Sequence, residues 1–350
     1  LPSGKIIQKS RQKLAALLLG IAGALGAGEI LLRIVGAPEV APVQQGRLQL
    51  SADPRLVFEP VPNLRVESLH DDLFEYAGSS NSLGYRDREH SITKPPGVYR
   101  IVVLGDSIAA GYHIERTADA FPARLEAGLR GAGLPVEVLN FGVTGYNTAQ
   151  EVETLRARAL RFAPDLVLVA YCHNDRRPPD PRIVDLLRQA QGNRHVPPLA
   201  PLDRALTRSA LYRFVRYGVL QADARRREAA AEAQGGDSVA GALHELGGLS
   251  RAHGFPVLLA VFPYLPRPYE QEHARYHEAL AEIAREEGFR LLDLRPAFRD
   301  CGPLDALRFD RYHPTAAGHA CAAAAIATAV QKIFPTGSPS LSQLRRRLAE

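Results

Sequence analysis

The chain has 350 residues, 46% hydrophobic and 23% charged, enough for one large globular domain with an appendage. Lys and Arg number 43 against 38 Asp and Glu, and much of the net charge of +5 lies in the terminal segments. With no zinc-finger spacing and no basic patch interleaved with aromatics, a nucleic-acid partner is not expected. Three cysteines, none in C-x-x-C spacing, exclude a disulfide framework; Cys301 and Cys321 are left open as a pair or as two thiols.

Residues 1–13 form a basic flank with Lys5, Lys9, Arg11 and Lys13. An apolar run follows over 14–35, interrupted by Glu29 and Arg33 at a spacing that lets them pair on one helix face. About 20 residues cross a bilayer, so this run is expected to be a transmembrane anchor with the pair near the outer interface. The basic flank places the N-terminus in the cytoplasm and the rest of the chain outside it, periplasmic or extracellular. A cleaved signal peptide and a buried amphipathic helix are the rival readings.

Residues 36–46 read as a linker, and 47–98 as a small β-rich pre-domain of turns and short strands, with Asn81-Ser82-Leu83-Gly84-Tyr85-Arg86 near its end. From Tyr99 strands and helices alternate. Strands are expected at Arg100–Leu104, Val136–Asn140, Asp165–Tyr171, Pro256–Pro263 and Arg290–Leu294. Helices are expected across Ala120–Gly131, Thr148–Arg161, Glu270–Glu287 and Pro314–Phe334. The strands are continuous apolar runs, the mark of a parallel sheet covered on both faces. Residues 176–254 are read as an irregular insertion carrying a helical stretch at Leu211–Ala233, a lid or an acyl-group pocket with Leu211, Tyr212, Phe214 and Val215, or a plain surface helix. Residues 335–350 read as a mobile tail.

Gly105 stops the first strand, and Asp106 and Ser107 follow at the carboxyl edge, where α/β folds place their sites. Ser107 stands where a nucleophile would stand, and needs a base. Asp310-Arg311-Tyr312-His313-Pro314 offers one: the carboxylate can hold the imidazole and the imidazole can reach Ser107. Gly145, after the second strand, offers an unhindered backbone N–H, and Asn174, after the third, a side-chain amide. Both are donor types that an oxyanion hole uses. Asp106 and Asp175 are expected to brace their turns, His173 to line the pocket, and His319 to be a bystander. His313 and His319 lack a third ligand at helical spacing, so no metal is expected, nor any other cofactor.

The blocks GDSI at 105–108, Gly145, HND at 173–175 and DRYHP at 310–314, in that order, resemble the SGNH (GDSL-type) hydrolase family over Tyr99–Phe334. Ile108 stands where the family often has Leu or Phe, and N-S-L-G-x-R at 81–86 resembles the segment preceding the hydrolase domain in membrane-anchored bacterial members. The resemblance implies a flavodoxin-like three-layer α/β/α fold and ester hydrolysis through an acyl-serine. Ser107, Asp310 and His313 would be catalytic, and Ser107, Gly145 and Asn174 would form the oxyanion hole. The substrate would be an acyl ester, acetyl among the candidates, of a glycan or a lipid. The same machinery would also serve an O-acyltransferase, and a non-catalytic binding protein could keep the fold. Nothing in the sequence fixes the oligomeric state.

Overall fold

The computed structural model describes residues 3–35, 47–64, 79–179, 238–265 and 271–334, with short pieces between 183 and 226 that include 208–215. The expected linker and tail, and most of the helical stretch expected at 211–233, lie outside the described residues. Two compact units divide the chain: 1–43 with 181–226, and 44–180 with 227–350.

In the first unit α1 (Ser3–Val35) is a single helix. Its part Arg11–Val35 is long and apolar enough to cross a membrane, its most apolar stretch of 18 residues having a mean hydropathy of 2.0. Residues 210–215 are helical, as expected there.

The second unit opens with an antiparallel pair, β1 (Leu48–Leu50) and β2 (Phe58–Pro60). Its main sheet is parallel and five-stranded: β3 (Tyr99–Gly105), β4 (Val136–Asn140), β5 (Leu166–Tyr171), β6 (Val257–Val261) and β7 (Arg290–Asp293). The spatial order is β4-β3-β5-β6-β7. Numbered from the first parallel strand this is 2-1-3-4-5, the order of the flavodoxin-like fold that the resemblance implies. The order reverses between β3 and β5, and a crevice opens at such a switch point beyond the carboxyl ends of the strands. The three central strands are buried on both faces, which is why they read as unbroken apolar runs. Edge strand β7 is the exposed one and starts with Arg290.

The turn at Asp106 leads into α2 (Ser107–Ala110), and α3 (Phe121–Gly131) follows. The helix after β4 begins as α4 (Thr148–Thr154), widens into a π turn at Leu155–Ala159 and tightens at Leu160–Phe162. Then come α5 (Ser238–His253), α6 (Gln271–Glu287), α7 (Arg295–Cys301), α8 (Leu304–Leu307) and α9 (Ala316–Ile333). Phe121, Leu125 and Leu129 of α3 and Ile326 and Val330 of α9 share one core with Ile101, Val103, Leu168 and Leu258. On the other side α4 packs against α5 and β3. Burying these apolar side chains at roughly 1.5–3 kcal/mol each is what holds the layers.

Within the span read as an insertion, 238–253 is helix α5, a layer element packed on α4. Gly241, Gly247 and Gly248 lower its intrinsic helix preference, and packing overrides that. The described residues of the segment 47–98 fall in the same compact unit as the sheet. Tyr146 donates to Phe58 O at 2.7 Å and Gln150 to Leu56 O, tying the β1–β2 segment to the start of α4.

Candidate active site

Asp106 follows β3 and caps α2: its Oδ1 accepts Ile108 N–H at 2.8 Å. That cap turns the chain sharply and leaves Ser107 as the first residue of the helix. The crowding there explains Gly142: a Cβ on it would lie 2.5 Å from the Ala109 side chain. Ser107 Oγ lies 2.8 Å from His313 Nε2 and 3.1 Å from Asp106 Oδ2.

His313 reaches Ser107 from the turn between α8 and α9. Asp310 Oδ1 accepts the backbone N–H groups of Tyr312 (2.8 Å) and His313 (2.9 Å), an Asx-type turn that fixes the carboxylate. Its Oδ2 lies 2.7 Å from His313 Nδ1. A carboxylate facing Nδ1 selects the tautomer with the proton there, which leaves the Nε2 lone pair facing the serine hydroxyl. Partial burial pushes the Asp310 carboxyl up, but hydrogen bonding and charge from His313 and the two amides outweigh it and bring it to about 2. Asp310 is therefore ionised at neutral pH.

Asn174 stands in the turn His173–Arg176 after β5, across the switch-point crevice from Ser107. Its Nδ2 donates to Asp106 Oδ2 at 2.7 Å, the same carboxylate oxygen that lies 3.1 Å from Ser107 Oγ. Gly145 lies in the β4–α4 turn with φ +80°, a conformation that glycine adopts without strain. Asp175 braces its turn as expected, accepting Cys172 N–H at 2.7 Å. His319 is buried outside the constellation. Its Nδ1 accepts Phe121 N–H at 3.0 Å at the start of α3, and burial, then the charges of Arg86, His313 and Arg124, lower it to about 3. His173 sits beside Tyr276 and Tyr264, at 4.7 and 6.2 Å between ring centroids. Cys172 is fully buried, and burial pushes its thiol well up, so it is no nucleophile.

Three features escape a reading of the sequence. Arg86, the last residue of the N-S-L-G-Y-R element, is 2% exposed, and its guanidinium donates to the carbonyls of Ala110, Gly111, Ile114 and Glu115. It clamps the chain at the end of α2 and just beyond it. Aromatic rings flank His313: Tyr112 at 4.1 Å and Tyr312 at 6.4 Å, with His113 stacked on the exposed Phe309. Behind the site, Glu151 and Asp175 are buried, and both are pushed well above the carboxylate range by burial and by neighbouring acids, Asp106 among them. Both Glu151 carboxyl oxygens and Asp175 Oδ1 lack a hydrogen-bond partner among the described residues. Among those residues no group of three or more His, Cys, Asp or Glu is placed to hold a metal ion. Cys301 and Cys321 are joined by a disulfide between α7 and α9.

Comparison with curated proteins gives no match. Among solved structures the chain is similar to TesA, with 18% identity over 67% of this chain and 98% of that one and a TM-score of 0.44. It is also similar to the lipase/acylhydrolase from Enterococcus faecalis (18%, 67% and 96%, TM-score 0.42) and to the acetyl xylan esterase AlAXEase (16%, 66% and 99%, TM-score 0.40). The sequence profile of the GDSL-like lipase/acylhydrolase family matches residues 103–321, from within β3 to within α9 and so across every block discussed above. The chain belongs to that family and is an ester-bond hydrolase.

Proposed function

We propose that the chain is a serine esterase that cleaves acyl esters of a glycan or a lipid through an acyl-serine. The supporting observation is the continuous hydrogen-bonded chain from Ser107 through His313 to Asp310, at 2.8 and 2.7 Å. Ser107 Oγ attacks the ester carbonyl as its proton passes to His313 Nε2. The imidazolium so formed is stabilised by ionised Asp310. Negative charge gathers on the carbonyl oxygen, where the N–H groups of Ser107 and Gly145 and the Asn174 amide receive it. One such donor typically contributes about 3–4 kcal/mol to the transition state. Collapse breaks the C–O bond, and His313 returns its proton to the departing alcohol. Water then repeats the sequence on the acyl-serine, regenerating Ser107 and releasing the acid. With an acceptor alcohol in place of water the same steps would transfer the acyl group.

We further propose that α1 anchors the enzyme, with the basic flank cytoplasmic and the hydrolase outside. Its apolar length supports this reading. The test of the chemistry is hydrolysis of p-nitrophenyl esters from acetate to decanoate by the full chain in detergent, beside Ser107→Ala and His313→Ala, with fluorophosphonate labelling in parallel. Activity and labelling that vanish in the Ser107 variant are expected. A folded wild type that neither labels nor turns over would overturn the assignment.

A further inference from the structure

Between Leu14 and Val35 the surface of α1 is mostly apolar: Leu14, Leu17, Leu18, Leu19, Leu25 and Ile34 are each about half exposed or more. Glu29 and Arg33 are the charged residues of this run, and the contacts of Glu29 are specific. Its carboxylate accepts the Ser209 hydroxyl at 2.7 Å and the Ala210 and Leu211 N–H groups, each at 2.9 Å. Arg33 Nε donates to the same carboxylate at 2.8 Å, while its Nη2 donates to Arg208 O at 3.1 Å. The first turn of the 210–215 helix is thus fastened by side chain and backbone to the carboxyl-terminal part of α1. Gly28 lies beside the Leu211 side chain, and a Cβ there would make ordinary contact at 3.8 Å.

Depth follows from length. A hydrocarbon core of about 30 Å takes about 20 residues at 1.5 Å each. Counted from Leu14, it ends close to Glu29 and Arg33, so whatever these two hold lies at the outer boundary. What they hold carries Phe214 (48% exposed) and Val215 (56%), with Leu206 (38%) just before it and Arg208 beside it. Apolar side chains next to cationic ones on a short helix suit the boundary between headgroups and acyl chains.

We propose that residues 208–215 are a membrane-interface foot, with Phe214 and Val215 inserted into the outer leaflet of a phospholipid bilayer and Glu29 and Arg33 as the ankle. This rests on α1 being the anchor. It assigns this part of the expected lid or acyl pocket to the lipid surface, and gives the charged pair in the apolar helix a task.

The chain contains no tryptophan, so one introduced tryptophan reports alone. Full-length Leu19→Trp, Phe214→Trp and Val215→Trp are reconstituted in phosphatidylcholine vesicles whose acyl chains are brominated either near the headgroup or near the methyl end. Leu19→Trp is expected to be quenched most by deep bromine. Phe214→Trp or Val215→Trp is expected to show blue-shifted emission and to be quenched most by shallow bromine, losing that quenching when Glu29→Ala is added. Quenching of Leu19→Trp with water-like, unquenched emission from both 214 and 215 would overturn the foot and leave the anchor standing. No quenching of Leu19→Trp would overturn both.

Discussion

His319 gives the stability of the fold a pH dependence whose size can be worked out. Buried against Phe121 N–H and held at about 3, the folded imidazole stays neutral across a range where the unfolded chain, at about 6.5, takes up a proton. Between those values the unfolded state binds more protons, so stability rises with pH and is lost as pH falls from about 6.5 towards 3. The slope is about 1.4 kcal/mol per pH unit, or about 5 kcal/mol over the full window. His319→Gln keeps a carbonyl to accept the Phe121 N–H and cannot titrate. Urea unfolding of both proteins in detergent, followed by circular dichroism from pH 7.5 to 4.5, measures the difference. At pH 4.5 the wild type is expected to have lost about 2.7 kcal/mol relative to the variant. Glu151, Asp175 and Asp310 titrate in both proteins and cancel in the difference. Parallel stability curves would refute the reasoning, since they would mean that His319 accepts its proton in the folded state.

Asp310→Asn is expected to reduce kcat on p-nitrophenyl acetate by on the order of 10⁴-fold with the urea midpoint little changed, because an amide N–H facing Nδ1 selects the wrong tautomer. Arg86→Met removes the donors to four backbone carbonyls behind Ser107 and is expected to cost about 3 kcal/mol in urea unfolding, with activity falling as the α2 turn loosens. Glu151→Gln should change a pH slope of the opposite sign. Burial raises the folded carboxyl, so the folded state keeps a proton that the unfolded chain releases above about 4.3. The wild type therefore loses stability as pH rises through that window, and the variant is expected to be flatter by thermal unfolding.

The sheet was legible because Val102–Leu104, Leu166–Tyr171 and Val257–Val261 are too continuously apolar to be anything but doubly covered strands. The Asp310–His313 turn was legible because a carboxylate two and three residues before its amide partners closes locally. What stayed hidden depends on partners distant in sequence. Arg86 looks like any surface arginine until the carbonyls 24 to 29 residues later are folded over it. The stack of His113 on Phe309 joins residues nearly 200 apart, and Tyr112 meets His313 the same way. Helix α5 was hidden by its glycines, which an isolated peptide would feel and a helix pressed on α4 does not.

The Cys301–Cys321 bond encloses the whole stretch that carries Asp310 and His313. Asp310 and His313 thus travel on a covalently closed ring, while Ser107 follows the first strand of the parallel sheet. An unfolded chain with that ring closed has fewer ways to scatter the two. Closing a loop of about 15 residues is worth roughly 3 kcal/mol by chain-entropy reasoning. Such bonds form and persist chiefly where thiols are oxidised. The same polypeptide kept among reducing thiols would fold with Asp310 and His313 on a longer leash.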